Sequence, residues 1–334
     1  MTRHDRALAS LQGLALGDAL GMPTQSLSAE TIRRDYGVVD RLLPAGPHQQ
    51  IAAGMPAGRI TDDTEQAILL AELLLEHRGD IPARSLAERL LAWEQHMAAT
   101  GSLDLLGPST KAALERLQAG ESPEETGRFG TTNGAAMRIA PVGIAFPADP
   151  AEAFLDAVRS ASSITHNTSI GLAAAAAVGA AVSTGIDGAN PEEALRRAID
   201  AAALAEATTP WAAGGKISER TRWAAEELRR RPEPEDRAAF VIGVIGTSVA
   251  AQESVVAALA MAATSTDPWR TLCEAASYGG DTDTVAAIAG AVLGAVHGLG
   301  AWPADAVARV TELNELSLPG IAASLLELRT ARGS

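Results

Sequence analysis

Two short polar stretches carry more negative charge than their surroundings explain. Residues 60–66 read ITDDTEQ and run straight into the apolar AILLAELLL, while residues 277–286 read SYGGDTDTVA and open the apolar VAAIAGAVLGAV. In each, paired carboxylates (Asp62 with Asp63, Asp281 with Asp283) stand among threonine hydroxyls (Thr61, Thr284) where an apolar helix begins. Read alone, the first stretch is a helix cap: the Asp62 to Glu65 spacing matches a capping box, and carboxylates suit the positive end of a helix. One cap, however, uses one side-chain acceptor. Four carboxylates at two helix entrances exceed that need, and if the entrances converge, their mutual repulsion demands a cation. Carboxylate and hydroxyl oxygens without a Cys or His cluster are the ligand set of a hard ion, Mg²⁺ or Mn²⁺, not of a structural zinc. They suffice for two neighbouring ions with positions left for water or substrate.

Other residues have two readings each. In GRFGTTNGAAMRIAP, glycines beside Asn133 can expose backbone N–H groups to a diphosphate ahead of the following helix, or simply form a tight turn. Arg138 in the same stretch suits a phosphate or a buried ion pair. His166, in ITHNTSIG, suits a substrate contact or a hydrogen bond that fixes its loop. Asp18, in GLALGDALG, suits the organisation of nearby backbone N–H groups or a direct part in the chemistry. His4, His48, His77, His96 and His297 have no metal-ligand spacing.

The elements that must position these residues are helices. Hydrophobic residues make up 47% of the 334 and aromatics only 3%, so the core is filled by Ala, Leu, Val and Ile, and alanine-rich segments favour closely packed helices. Apolar residues recur at helical spacing over 67–75, 86–97, 110–118, 151–161, 169–182, 191–206, 251–263, 269–277 and 283–297. The exception is AAFVIGVIGTSV, where clustered Val and Ile interrupted by glycines predict a strand or extended connector. No domain boundary or fixed repeat is visible, so residues 1–334 read as a single all-α domain. A net charge of -14 argues against a nucleic-acid platform. The lone Cys273 forms no internal disulfide and reads as a packed apolar residue. IGLAAAAAVGAAVSTGI reads as a buried soluble helix, not a membrane span, and no signal peptide is recognisable; a cytoplasmic protein with no membrane partner is expected.

GLALGDALGMPTQ, ITDDTEQ, TTNGAAMRIAPVGI, ITHNTSIG and YGGDTDTVAAIAGAVLGA together, in this order from about residue 8 to about residue 300, resemble the motifs of the ADP-ribosylglycohydrolases. The resemblance implies a compact orthogonal multi-helix bundle with a binuclear Mg²⁺ or Mn²⁺ centre held by Thr61, Asp62, Asp63, Asp281, Asp283 and Thr284. It implies cleavage of a ribosyl glycosidic bond through an oxocarbenium-like state, releasing ADP-ribose from a modified protein side chain or small acceptor, with Asp62, Asp63 and Asp104 on the bond-cleaving side. Substrate contacts implied in the same way are Gln25, Thr132, Asn133, Gly134, Met137, His166, Tyr278, Gly279 and Gly280. Two positions depart from the family pattern. Gln25 stands where an acidic residue is common, and a glutamine accepts no proton from water. Asp104, in TGSLDLLGPST, is spaced differently from the following glycine than the aspartate of arginine-directed relatives. Hydrolysis of a smaller free N-riboside, or a non-catalytic ADP-ribose-binding or structural role, are the alternatives to test.

Overall fold

In the computed structural model of this protein, which describes residues 1–99 and 106–332, Gly13, Gly17 and Gly21 line one face of the helix Arg3–Gly21. That face meets the helix Thr282–His297, which runs antiparallel to it and is buried along nearly its whole length. A Cβ at Gly13 would lie 2.2 Å from the Gly290 carbonyl oxygen, one at Gly17 2.1 Å from that of Ala286, and one at Gly21 2.3 Å from the Asp283 Cα. From the other side, Cβ atoms at Gly290 and Gly294 would lie 1.9 and 2.0 Å from the carbonyl oxygens of Gly13 and Ala9. Each interior glycine costs a helix about 1 kcal/mol of propensity. Here it lets two backbones touch, which no larger residue permits. Side chains then fasten the pair: Ser10 donates to the Ala291 carbonyl (2.8 Å), Trp302 Nε1 to that of Ala9 (2.9 Å), and Arg6 to the closing carbonyls of Ala295 and Val296.

Sixteen further α-helices accompany this pair among the described residues, and no strand occurs there, as an all-α chain requires. The predicted spans appear as Asp62–Glu76, Ala83–Ala99, Pro108–Gln118, Ala151–His166, Gly171–Ile186, Pro191–Thr208, Ala251–Ala263 and Pro268–Ala275. The alanine-rich helix Gly171–Ile186 is buried on almost every side. Among the described residues no helix is long and apolar enough to cross a membrane.

The strand expected in AAFVIGVIGTSV is not there. The helix Pro234–Phe240 passes directly into a π-helical turn, Val241–Ile245, which Gly246 ends at φ 87°. The β-branched residues have no neighbouring strand to pair with; Val241 and Ile245 pack inward while Ile242 and Val244 stay exposed. The loop that follows, through Val249, forms part of the wall described next.

Candidate active site

The two helix entrances converge. Asp62 from one, with Asp281, Asp283 and Thr284 from the other, line a cavity of about 180 Å³ together with Gln25, Thr132, Asn133, Gly134 and Met137. Thr284 Oγ1 bridges the halves by donating to Asp63 Oδ2 at 3.2 Å.

Neither helix is capped by its own N-cap side chain, although Asp283 accepts from the Thr284 amide at 3.0 Å. Thr61 is the N-cap residue of Asp62–Glu76 and Asp281 that of Thr282–His297, and neither side chain makes a capping hydrogen bond. The capping box read from the Asp62 to Glu65 spacing is therefore corrected: Glu65 instead accepts from Trp93 Nε1 at 2.7 Å. Capping falls to Asp18 on the N-terminal helix, whose carboxylate accepts from the Thr61 amide (2.9 and 3.0 Å), the Thr61 hydroxyl (2.6 Å), the Thr64 amide (3.1 Å) and the Thr64 hydroxyl. Burial raises the Asp18 pKa to about 6 in spite of these hydrogen bonds, which favour the anion. The organising role read for Asp18 is what this geometry displays.

With capping delegated, the remaining acids face one another. Asp63 is fully buried, its pKa is driven well above the usual carboxylate range by burial and then by Asp62, Asp283, Asp18 and Asp281, and its Oδ1 has no partner. Asp281 is likewise raised by burial, opposed by the Asn133 amide that donates to it at 2.5 Å. Asp62 Oδ2 accepts from Gln66 (2.9 Å), whose Oε1 accepts from Arg138 (3.4 Å). Arg138 is thus a buried cation behind Asp62, not a wall residue. It donates also to Gly134 O (2.9 Å) and Thr165 Oγ1 (2.6 Å), and burial lowers its pKa to about 10. Among the described residues no three His, Cys, Asp or Glu side chains are already drawn around one point as a bound ion would hold them.

Several implied contacts sit elsewhere. His166 lies behind the wall, where its Nε2 shares a hydrogen bond with Thr132 Oγ1 (2.9 Å) and its Nδ1 one with Thr165 Oγ1 (2.8 Å); it positions Thr132 and is out of the cavity. Tyr278 is buried and does not line the cavity, its phenol pushed up by burial and by Glu274. Gly279 and Gly280, at φ 80° and 75°, turn the chain so tightly that a Cβ would meet the Ala29 amide at 2.7 Å or the Thr247 carbonyl at 2.4 Å. They aim Asp281 and do not line the cavity. Asp104 lies outside the described residues. Wall residues that sequence reasoning missed are Ser26, Ile51, Gly107, Pro108, Thr110 and Val249; only the Gly107-Pro108 turn carried a visible signal.

Burial, and then the charge of Arg138, hold the His166 pKa well below its usual value, so the folded protein keeps this imidazole neutral. An unfolded chain binds that proton below about pH 6.5, so stability falls as pH drops through this range, by up to about 1.4 kcal/mol one unit lower. A His166→Gln variant lacks the effect. The gap in unfolding free energy between wild type and variant should therefore narrow between about pH 7.5 and 5.5; a gap that stays constant in denaturant titrations would contradict a neutral His166.

The whole chain, residues 1–334, matches the family model described as ADP-ribosylglycohydrolase. It is 32% identical over 331 residues to Escherichia coli (strain K12) protein YegU, covering 99% of each chain. It is 27% identical to the ADP-ribosylarginine hydrolase Tri1 of Pseudomonas putida (strain GB-1), covering 92% of this chain and 74% of that one. A solved structure described as an ADP-ribosylglycohydrolase-related protein complex superposes with a TM-score of 0.70 at 28% identity, over 98% of both chains.

Proposed function

The chain belongs to the ADP-ribosylglycohydrolase family, and from that premise we propose that it is a divalent-cation-dependent hydrolase that releases ADP-ribose from a modified protein side chain or a small acceptor. The observation that supports the metal dependence is the meeting of the two acidic helix entrances at one cavity, with a buried carboxylate oxygen left unpartnered. Four carboxylates converge; Asp18 caps the first entrance, Asp283 accepts from the Thr284 amide (3.0 Å), and one buried oxygen, Asp63 Oδ1, has no partner. Thr61, Asp62, Asp63, Asp281, Asp283 and Thr284 fit two hard cations, Mg²⁺ or Mn²⁺, by donor chemistry. Such ions, when bound, attract the ribose hydroxyls and make water more acidic.

The chain's own groups do the rest. In the turn over residues 130–134 the Gly130 and Asn133 amides are engaged by the Gly127 and Val249 carbonyls, so the remaining amides are those that meet the diphosphate, with Thr132 held by His166 and Asn133 held against Asp281. Asp18 fixes the first turn that carries Asp62 and Asp63. As the glycosidic bond breaks, positive charge grows at the anomeric carbon, and the surrounding carboxylates lower its energy. Asp62, on the cavity wall, is placed to accept a proton from the attacking water; Asp63 lies beneath it.

A second reading, hydrolysis of a smaller N-riboside, draws on the cavity volume of about 180 Å³, which is below the usual range for a bound ligand of drug size. Product analysis separates the two. With Mg²⁺ or Mn²⁺, ADP-ribosylated serine or arginine substrates should yield free ADP-ribose, and a chelator should stop turnover. Release of free base from unmodified nucleosides alone would support the second reading. Absence of turnover on the whole panel at saturating metal would refute both.

A further inference from the structure

The charged run RRRPEPEDR, residues 229–237, sorts itself by sign. Arg229, Arg231 and Arg237 line a surface cavity of about 550 Å³, whereas Glu233, Glu235 and Asp236 of the same run, with Arg230, stay outside it. The opposite wall, over residues 263–274, adds Arg270 and the hydroxyls of Thr264, Ser265, Thr266 and Thr271. Four arginines thus meet two carboxylates, Asp267 and Glu274, in a chain that carries 27 basic against 41 acidic residues. The cavity shares no lining residue with the candidate active site.

Part of this charge holds the walls together. Arg237 donates to the Leu228 carbonyl (3.1 Å) and to Thr264 Oγ1 (2.9 Å), which joins the ends of the helices Ile217–Arg229 and Ala251–Ala263. Arg231 pairs with Glu227 (2.6 Å), and its guanidinium carbon lies 4.1 Å from the centre of the Phe240 ring. Arg229 and Arg270 have no such duty. Arg229 is exposed and makes no ion pair among the described residues, since its neighbours Arg230 and Arg231 both go to Glu227. Arg270, with a side chain 63% exposed, bonds Glu274 through Nε alone (3.0 Å) and keeps the terminal nitrogens of its fork for another acceptor. A purely structural arginine cluster would draw the acids of its own loop inward. The geometry points instead to a second binding site, for a small molecule that carries a phosphate or diphosphate group. Guanidinium forks match phosphate oxygens two at a time, the hydroxyls supply further donors, and the volume lies in the range of small-ligand sites. A chain with a net charge of -14 repels anions in general, so a local surplus of arginine is what such a ligand requires. The site is independent of the hydrolysis proposed above.

Titration calorimetry of the full chain with inorganic pyrophosphate, and separately with ATP, tests the site without divalent cations and at about 0.15 M salt, where charges more than about 8 Å apart are screened. Pyrophosphate should bind with a Kd below about 1 mM. Arg229→Ala and Arg270→Ala should each weaken binding by about 3- to 10-fold. Arg230→Ala removes the same charge from the same loop outside the cavity and should change the Kd by less than about twofold. Asp267→Asn keeps a side-chain oxygen for the Arg270 amide, which Asp267 now accepts at 3.1 Å, and takes a negative charge from the wall; it should tighten binding by about 2- to 5-fold. Tighter binding of ATP than of pyrophosphate identifies a nucleotide as the ligand, and the reverse a simple phosphate; either result upholds the site. No binding of either probe, or equal losses in Arg229→Ala, Arg270→Ala and Arg230→Ala, overturns it. A Kd that none of the variants moves assigns the anion to the turn over 130–134 and also overturns the second site, while the proposed function stands.

Discussion

Asp63→Asn should make the metal-free protein harder to unfold while abolishing turnover. The buried Asp63 carboxyl stands among Asp62, Asp283, Asp18 and Asp281, and one of its oxygens has no partner. An amide of the same shape removes the repulsion and keeps an oxygen for the Thr284 hydroxyl that now donates to it. At a pH where this carboxyl is ionised, relief of the repulsion is worth about 1 to 4 kcal/mol, a gain of several degrees in melting temperature measured in chelator. Under the proposed function the same substitution removes a cation ligand, so Mg²⁺ should no longer raise the melting temperature, and kcat should fall at least about 10³-fold. Stability and activity move in opposite directions, as expected where a fold tolerates repulsion for a ligand's sake. Calorimetry with and without Mg²⁺ decides the point: lower stability in chelator, or an unchanged response to Mg²⁺, would refute this account of the cluster.

The second large effect lies away from the acids. Gly290→Ala places a Cβ 1.9 Å from the Gly13 carbonyl oxygen, a distance no relaxation of side chains can lengthen because both partners are backbone. The two helices must separate, at a cost of about 3 kcal/mol or more. Gly21→Ala acts on the site as well, since its Cβ would meet the Asp283 Cα and amide nitrogen, each at 2.3 Å. Displacing Asp283 by about 1 Å should lower kcat by about 10²-fold even in the fraction that remains folded. Gly320→Ala supplies the contrast: nothing lies within 4 Å of the new Cβ on the helix Leu318–Arg332, and the variant should gain up to about 1 kcal/mol. Equal effects for the three alanines in denaturant unfolding would show that helix propensity, not backbone contact, governs these positions.

How far the sequence disclosed this depends on the range of each interaction. Helices were legible because their signal is local, an apolar stripe repeating every few residues, and Asp62–Glu76 or Thr282–His297 stands almost where the pattern begins and ends. The excess of carboxylates was legible too, since capping has a known requirement. Convergence was not. It depends on the contact of Gly13, Gly17 and Gly21 with Gly290 and Gly294, and nothing in one stretch names its partner in the other. The Glu65 cap failed for the same reason: a local spacing competed with Asp18 and Trp93, which are distant in sequence, and the long-range partners prevailed. VIGVIG misled because β-branched residues report a half-buried surface more than a strand. His166, Tyr278, Gly279 and Gly280 belong to the motifs yet do not line the cavity, so a motif names a neighbourhood and leaves the division between contact and support to the three-dimensional packing.

The N-terminal helix and its glycine-paired partner also set a timetable. Ribosomes make Arg3–Gly21 long before Thr282–His297, so the apolar face of the first helix waits for its partner while every helix between them is made. At bacterial-like elongation speeds this interval is on the order of tens of seconds. Asp18 can organise the Asp62 turn early, because those residues emerge soon after it, while the opposing carboxylates arrive only with Asp281 and Asp283. A nascent chain therefore carries half a cradle, with only the repulsion among Asp18, Asp62 and Asp63, and the hydrolase completes its charged centre in the same late step that closes its core.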